Sequence, residues 1–290
     1  MRADIEGCLQ DITSELKSVS KFSDDRVLEL LRMLTPLEPL KRHQDVKLLR
    51  TKNAAAWLLG LESFCKWRDS NTTPVEKGGR VFSCYGIPGA GKTVISSVVI
   101  DNIYSQLHKV YSNIGIACLY ADYKDQSNQT LAHILGSFLR QFLTTASECI
   151  PDALFEKLDV ILKQGGKVGT ENIMALLKIR LQQLKRAFIC IDAVDELDPN
   201  VQRQLFDVLR ELGTNYDNTR LFLTGRGHIE SEVQKRLHVL QKHQVVITAS
   251  EQDIQEFLEQ QIKDDLNPDA MDKVLAKDII DKIIKKSQGM

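Results

Sequence analysis

The eight residues GIPGAGKT, Gly86 to Thr93, carry the most explicit chemistry in this sequence. They match a pattern in which glycines let the backbone turn tightly, so that several N–H groups point inward at phosphate oxygens. A short apolar run precedes them and a helically spaced run follows. The loop is therefore expected between a strand and a helix N-terminus, whose positive dipole end adds to the attraction for phosphate. Gly86, Pro88, Gly89, Ala90, Gly91, Lys92, Thr93 and Val94 make up the expected cradle. Within it Lys92 is expected to reach the β- and γ-phosphates, and Thr93 to offer its hydroxyl to Mg2+.

Two further strand ends complete a candidate site. AFICIDAVDEL, Ala187 to Leu197, is an apolar strand that finishes on a carboxylate, placing Asp192 at the carboxyl edge of a sheet. Asp192 is the candidate Walker B residue, orienting Mg2+ through water. Asp195 and Glu196 follow, and one of them is expected to polarise the attacking water. The spacing does not say which. LFLTGR, Leu221 to Arg226, is another buried strand ending in a polar cluster. From there Arg226 can donate to a γ-phosphate and so tell ATP from ADP.

The elements that must position these groups are legible as alternating periodicities. Strands are expected at Arg80–Gly86, Ile114–Asp122, Ala187–Asp192, Arg220–Gly225 and Val245–Ala249. Helical spacing runs over Thr93–Leu107, from Leu131 to Phe142, on either side of a break at Gly165, Gly166 and Gly169, and over Pro199–Leu212. Apolar strands alternating with helices predict an α/β fold with a parallel sheet covered on both faces. Beyond Ser250 the pattern is helical only. Before residue 51 it is a helical leader: a stripe of Ile5, Leu9, Ile12, Leu16 and Val19, then a second helix opened by Ser23 and ended by Pro36 and Pro39. The expected division is a leader over 1–50, a nucleotide-binding domain over 51–249 and the start of a helical subdomain over 250–290.

Composition bounds the partners. The 290 residues hold 38 basic and 39 acidic side chains, a formal net charge of −1, which gives no electrostatic reason to expect nucleic acid or an anionic membrane. Six cysteines without regular spacing, three of them (Cys84, Cys118 and Cys190) inside apolar runs, read as core thiols of a reducing compartment. No run approaches the ~20 apolar residues of a membrane span, and the charged N-terminus is no signal peptide. A cytoplasmic protein is expected.

GIPGAGKT, then FICIDAVDEL, then FLTGR, in that order and spacing, resembles the NACHT class of signal-transducing P-loop NTPases. More narrowly the chain is similar to the nephrocystin-3-like N-terminal domain of fungal NOD-like receptors of the STAND type. AAWLLGLESFCKWRDS, Ala55 to Ser70, resembles the lead-in of that family. The resemblance implies a five-stranded sheet of order 5-1-4-3-2, ATP or ADP with Mg2+, slow hydrolysis, and a switch acting through protein partners or self-association. It implies a Gly-Thr-rich turn before the tryptophan, where this chain has TKNAAAW, so Trp57 is expected to pack on the core rather than stack on adenine. It also implies a winged helix and repeats after KKSQGM. Without that clamp, ATP and ADP are expected to be poorly distinguished except through Arg226. A small-molecule kinase needs a basic acceptor lid, and a motor ATPase needs an arginine finger and polymer loops; neither is visible.

Overall fold

The computed structural model describes residues 24–51, 54–69, 79–107, 113–145, 152–163, 169–248, 251–263 and 273–287. The stripe from Ile5 to Val19 lies outside the described residues, as do Cys8 and Cys149.

Five strands, β1 (Val81–Tyr85), β2 (Ile114–Tyr120), β3 (Arg186–Asp192), β4 (Thr219–Gly225) and β5 (Gln244–Val246), form one parallel sheet in the order β2-β3-β4-β1-β5. This is the expected 5-1-4-3-2 order. Strands β1 to β4 are buried throughout, and their side chains alternate between two cores. Ala187, Ile189 and Ile191 of β3 enter the first core, whereas Phe188 and Cys190 enter the second. Burial on both faces explains why these strands read as unbroken apolar runs.

The second face is covered in part by α3 (Ala56–Leu59), α4 (Glu62–Asp69) and α5 (Lys92–Leu107), which contribute Leu58, Phe64, Trp67, Ile95, Val99 and Ile103. The first face is covered by α6 (Leu131–Thr145), α7 (Asp152–Lys163), α8 (Thr170–Gln183), α9 (Pro199–Asn215) and α10 (Glu230–Leu237). Two further helices, α11 (Glu251–Lys263) and α12 (Lys273–Ser287), pack on one another.

Trp67, not Trp57, is the core tryptophan. Its ring meets Phe64, Phe82, Phe188 and Phe222, and its indole N–H donates to the Arg80 carbonyl at 2.9 Å. Trp57, expected to pack on the core, is 39% exposed and belongs to neither core cluster. The carbonyls at the end of α4 are capped by two buried guanidiniums from the sheet. Arg186 donates to Arg68 O at 2.6 Å, and Arg220 to Trp67 O at 3.2 Å. Cations at a helix C-terminus satisfy its orphan carbonyls and complement its dipole. Burial, with the charges of Arg186 and Arg80 beside it, lowers the Arg220 pKa to about 10.

Residues 24–50, read from the sequence as part of a helical leader, form a strap packed on the main domain. Helix α1 (Asp24–Met33) buries Val27, Leu30 and Leu31 in the first core, and Val46 of α2 (Pro39–Leu49) lies in the second. Between them the chain passes the edge strand β2. Pro39, expected to end a helix, instead opens α2 at its first turn, where the missing N–H of proline is no loss. The crossing is fastened to α6: Thr35 Oγ1 donates to His133 O at 2.8 Å, and Arg140 donates to the carbonyl of Leu37. Gly136 of α6 allows this approach, because a Cβ there would collide with the Leu34 carbonyl oxygen. Gly136→Ala is therefore expected to cost about 1–3 kcal/mol of stability by overpacking. Urea unfolding checks this, and an unchanged midpoint would show that the strap yields freely.

The remaining backbone edge of β2 is closed by a side chain. Gln141 Oε1 accepts the Cys118 N–H and its Nε2 donates to the Cys118 carbonyl, both at 2.9 Å. This amide occupies hydrogen-bonding groups that an exposed edge strand would offer to another chain.

Candidate functional site

The carboxyl ends of β1, β3 and β4 converge, and each delivers one part of the expected constellation. After Tyr85 the chain enters the loop Gly86–Gly91. Gly86 N–H donates to Gly225 O at 3.1 Å, fixing the loop beside the end of β4. Gly89 and Gly91 have φ of 81° and 88°, left-handed values that favour glycine over any residue with a Cβ. The loop tip from Ile87 to Gly89 is exposed, Ala90 is buried beneath it, and α5 starts at Lys92. Lys92 Nζ donates to Gly86 O and Ile87 O, both at 2.9 Å, so the ammonium spans the entry of its own loop. Partial burial pulls its pKa below the ordinary lysine value, opposed by the carboxylates of Asp195 and Asp192.

Asp192 is 3% exposed and accepts three hydroxyls. Thr93 Oγ1 donates to Oδ2 at 2.6 Å; Ser96 and Thr224 donate to Oδ1 at 2.8 and 2.6 Å. Thr93 and Asp192 were both singled out in the sequence, 99 residues apart, and the fold brings them into contact. Ser96 and Thr224 were missed. Ser96 lies one turn after Thr93 on the same helix face, a clue in the spacing; Thr224 stands within FLTGR but has no distinguishing pattern. Thr224 Oγ1 also accepts the Ala193 N–H at 2.9 Å, where Ala193 adopts a left-handed φ of 52°. That turn swings the chain after β3 outward and aims Asp195 and Glu196 across the cleft.

The geometry separates these two acids. The Asp195 side chain is 2% exposed and both of its oxygens face Arg226: Oδ1 accepts the backbone N–H at 3.0 Å and Oδ2 pairs with Nε at 3.3 Å. Gly225 permits this contact, since a Cβ there would lie 3.1 Å from Asp195 Oδ1. Glu196 is 25% exposed and its Oε1 stands 3.8 Å from Arg226 Nη2. Burial and the neighbouring Asp195 raise the Glu196 pKa, partly offset by the Tyr123 N–H that donates to it at 3.4 Å. Its backbone is held by Gln126, whose Nε2 donates to Glu196 O at 2.8 Å. Asp195 thus orients Arg226, while Glu196 stays partly exposed and makes only a longer contact with the same guanidinium.

The donor set fits a metal–nucleotide pair. Among the described residues no group of three or more His, Cys, Asp or Glu side chains could hold a metal ion. A hydroxyl and a carboxylate oxygen at 2.6 Å instead suit Mg2+, which keeps several waters and takes its remaining ligands from phosphate.

A glycine-turned loop between the first strand and a helix, facing a strand-end carboxylate across a five-stranded parallel sheet, defines an α/β domain of the P-loop NTPase type. The chain belongs to the nephrocystin 3, N-terminal family, matched over residues 53–226. The strap residues 24–50 precede that match. No curated protein matches the chain in sequence. Among solved structures it is similar to the Aeropyrum pernix ORC1 protein in complex with DNA, at 15% identity and a TM-score of 0.44. That likeness covers 80% of this chain and 53% of the other, so the chain spans about half the length of that protein. The expectation that nucleic acid is excluded as a partner is corrected here, since the similar protein is one bound to DNA. A net charge near zero is a sum over the whole chain and places no limit on a local basic surface. Among the described residues no helix is long and apolar enough to cross a membrane.

Proposed function

We propose that this chain is a Mg2+-dependent adenine-nucleotide module that hydrolyses ATP slowly and works as a nucleotide-gated signalling switch of the NACHT, or STAND, kind in the cytoplasm. The observation that carries the reading is the contact of Thr93 with Asp192 at the mouth of a loop closed by Lys92. Bound Mg-ATP supplies a phosphoanhydride whose cleavage the site can gate. Backbone N–H groups of Gly89 to Thr93 and the Lys92 ammonium bind phosphate; Thr93 and Asp192 hold the metal side. Glu196 takes the proton of the attacking water, and Arg226, steadied by Asp195, answers to charge at the far end of the phosphates. Because Arg226 contacts both acids, its position and that of the base are linked, as a switch requires.

Nucleotide identification by mass spectrometry on the denatured protein, followed by single-turnover hydrolysis, tests the reading. An adenine nucleotide is expected, with slow turnover that needs no acceptor. Fast transfer to a small-molecule acceptor would replace the switch by a kinase. Glu196→Gln is expected to slow hydrolysis about 100-fold or more with Mg-ATP affinity kept. Since a base must be ionised, wild-type turnover should fall on acidification with an apparent pKa above the ordinary glutamate value of 4.5. That acid limb should vanish in Glu196→Gln. If Asp195→Asn abolished turnover while Glu196→Gln left it intact, the two roles would have to be exchanged.

A further inference from the structure

Helix α5 starts in the candidate site and ends far from it, and its polar residues face two different partners in succession. Thr93 and Ser96 donate to Asp192. One turn on, Ser97 Oγ accepts Arg50 Nη1 at 2.7 Å. One turn further, Asp101 receives Arg50, Lys47 Nζ at 3.1 Å and His43 Nε2 at 3.0 Å, all from the strap. Positions 93, 97 and 101 lie on one stripe of the helix, so the same face that enters the site is held by the strap.

A second route joins the strap to the strand beside Asp192. His43 is buried, and its Nδ1 lies 2.8 Å from the Tyr120 hydroxyl. Ionised Asp101 can only accept, which places a ring proton on Nε2. Tyr120 is the β2 residue in register with Asp192 of β3. Burial would raise the Asp101 pKa, but hydrogen bonds from His43 and Lys47 and the charge of Arg50 hold the carboxyl well below the usual range. The strap therefore meets two of the neighbours of Asp192, the P-loop helix and strand β2, through directional bonds. An apolar seam would hold the helix against the sheet but leave its rotation and axial position looser.

We propose that residues 39–50 form a latch that sets the position of the P-loop helix, with His43, Arg50 and Asp101 as positioning residues for metal-bound nucleotide. The inference rests on the reading that Thr93 and Asp192 serve Mg2+. Turning α5 by a few degrees moves the short Thr93 hydroxyl relative to Asp192, whereas the loop amides ahead of the helix stay in place and the long, flexible Lys92 side chain can still reach phosphate. The latch therefore acts on the metal-dependent part of the affinity. Coupling is reciprocal, so Mg-ATP should in turn steady the strap.

The test measures ATP affinity by calorimetry with Mg2+ and with EDTA, for wild type, Asp101→Asn and Arg50→Gln, alongside hydrogen–deuterium exchange over residues 39–50. Both variants are expected to weaken Mg-ATP binding about tenfold and to leave metal-free ATP within about twofold. Mg-ATP should slow exchange across α2 in wild type and lose that effect in both variants. Should Asp101→Asn fail to fold, Arg50→Gln carries the test, because Asp101 then keeps His43 and Lys47. Equal weakening with and without metal, or variants that match wild type, would overturn the latch while a metal-dependent wild type leaves the nucleotide reading standing. A wild-type chain that binds no nucleotide in either condition removes both.

Discussion

Lys92→Ala is expected to remove most Mg-ATP affinity and leave the fold intact. The ammonium belongs to the first residue of α5 and donates to two loop carbonyls, Gly86 O and Ile87 O. Removing it opens no cavity in either core, and alanine is a good helix former at that position. The loss falls on phosphate, where a charge-assisted contact is worth about 1.5–3 kcal/mol, or roughly 10- to 150-fold in affinity. The partial burial that lowers the lysine's pKa also strengthens its pull on a bound anion. Calorimetric titration beside thermal unfolding decides the matter. A folded Lys92→Ala protein with wild-type affinity would defeat the assignment of the loop.

The second large effect is expected at Asp192. Asparagine keeps the shape of the side chain and one oxygen to accept from Ser96 and Thr224, while its amide can donate to the Thr93 hydroxyl. The fold should therefore survive Asp192→Asn. The negative charge does not, and with it goes the attraction of the site for a divalent cation. In wild type, ATP should bind at least about tenfold tighter with Mg2+ than in EDTA; in Asp192→Asn the ratio should approach about one. Asp192→Ala is the harsher change, because it strands two buried hydroxyls and should unfold at lower denaturant as well. Retention of the full metal effect in Asp192→Asn would mean that the metal is held elsewhere.

Much of this architecture was legible without coordinates. Four of the strands are buried on both faces, so each is an apolar run bounded by turn residues, and the helices between them carry their own period. The loop Gly86–Gly91 was equally plain, since left-handed φ at Gly89 and Gly91 restricts which residues can stand there. These features are local: the chemistry of a few neighbouring residues specifies them, and the strand order followed from the motif resemblance.

What the fold alone decided is contact between residues distant in sequence. Asp195 and Glu196 are adjacent acids with no difference in pattern. Only the approach of Gly225 and Arg226, some thirty residues later, buries one and leaves the other partly exposed. Ser96 and Thr224 look like ordinary hydroxyls until β3 and β4 bring them to one carboxylate. Pro39 reads as a helix stop and serves as a helix start, because proline fits both places. The strap shows the same limit most fully. His43, Arg50 and Asp101 are common surface residue types without a motif. Their convergence depends on where the chain crosses the edge of β2, which no local periodicity encodes and the close packing of the two cores does.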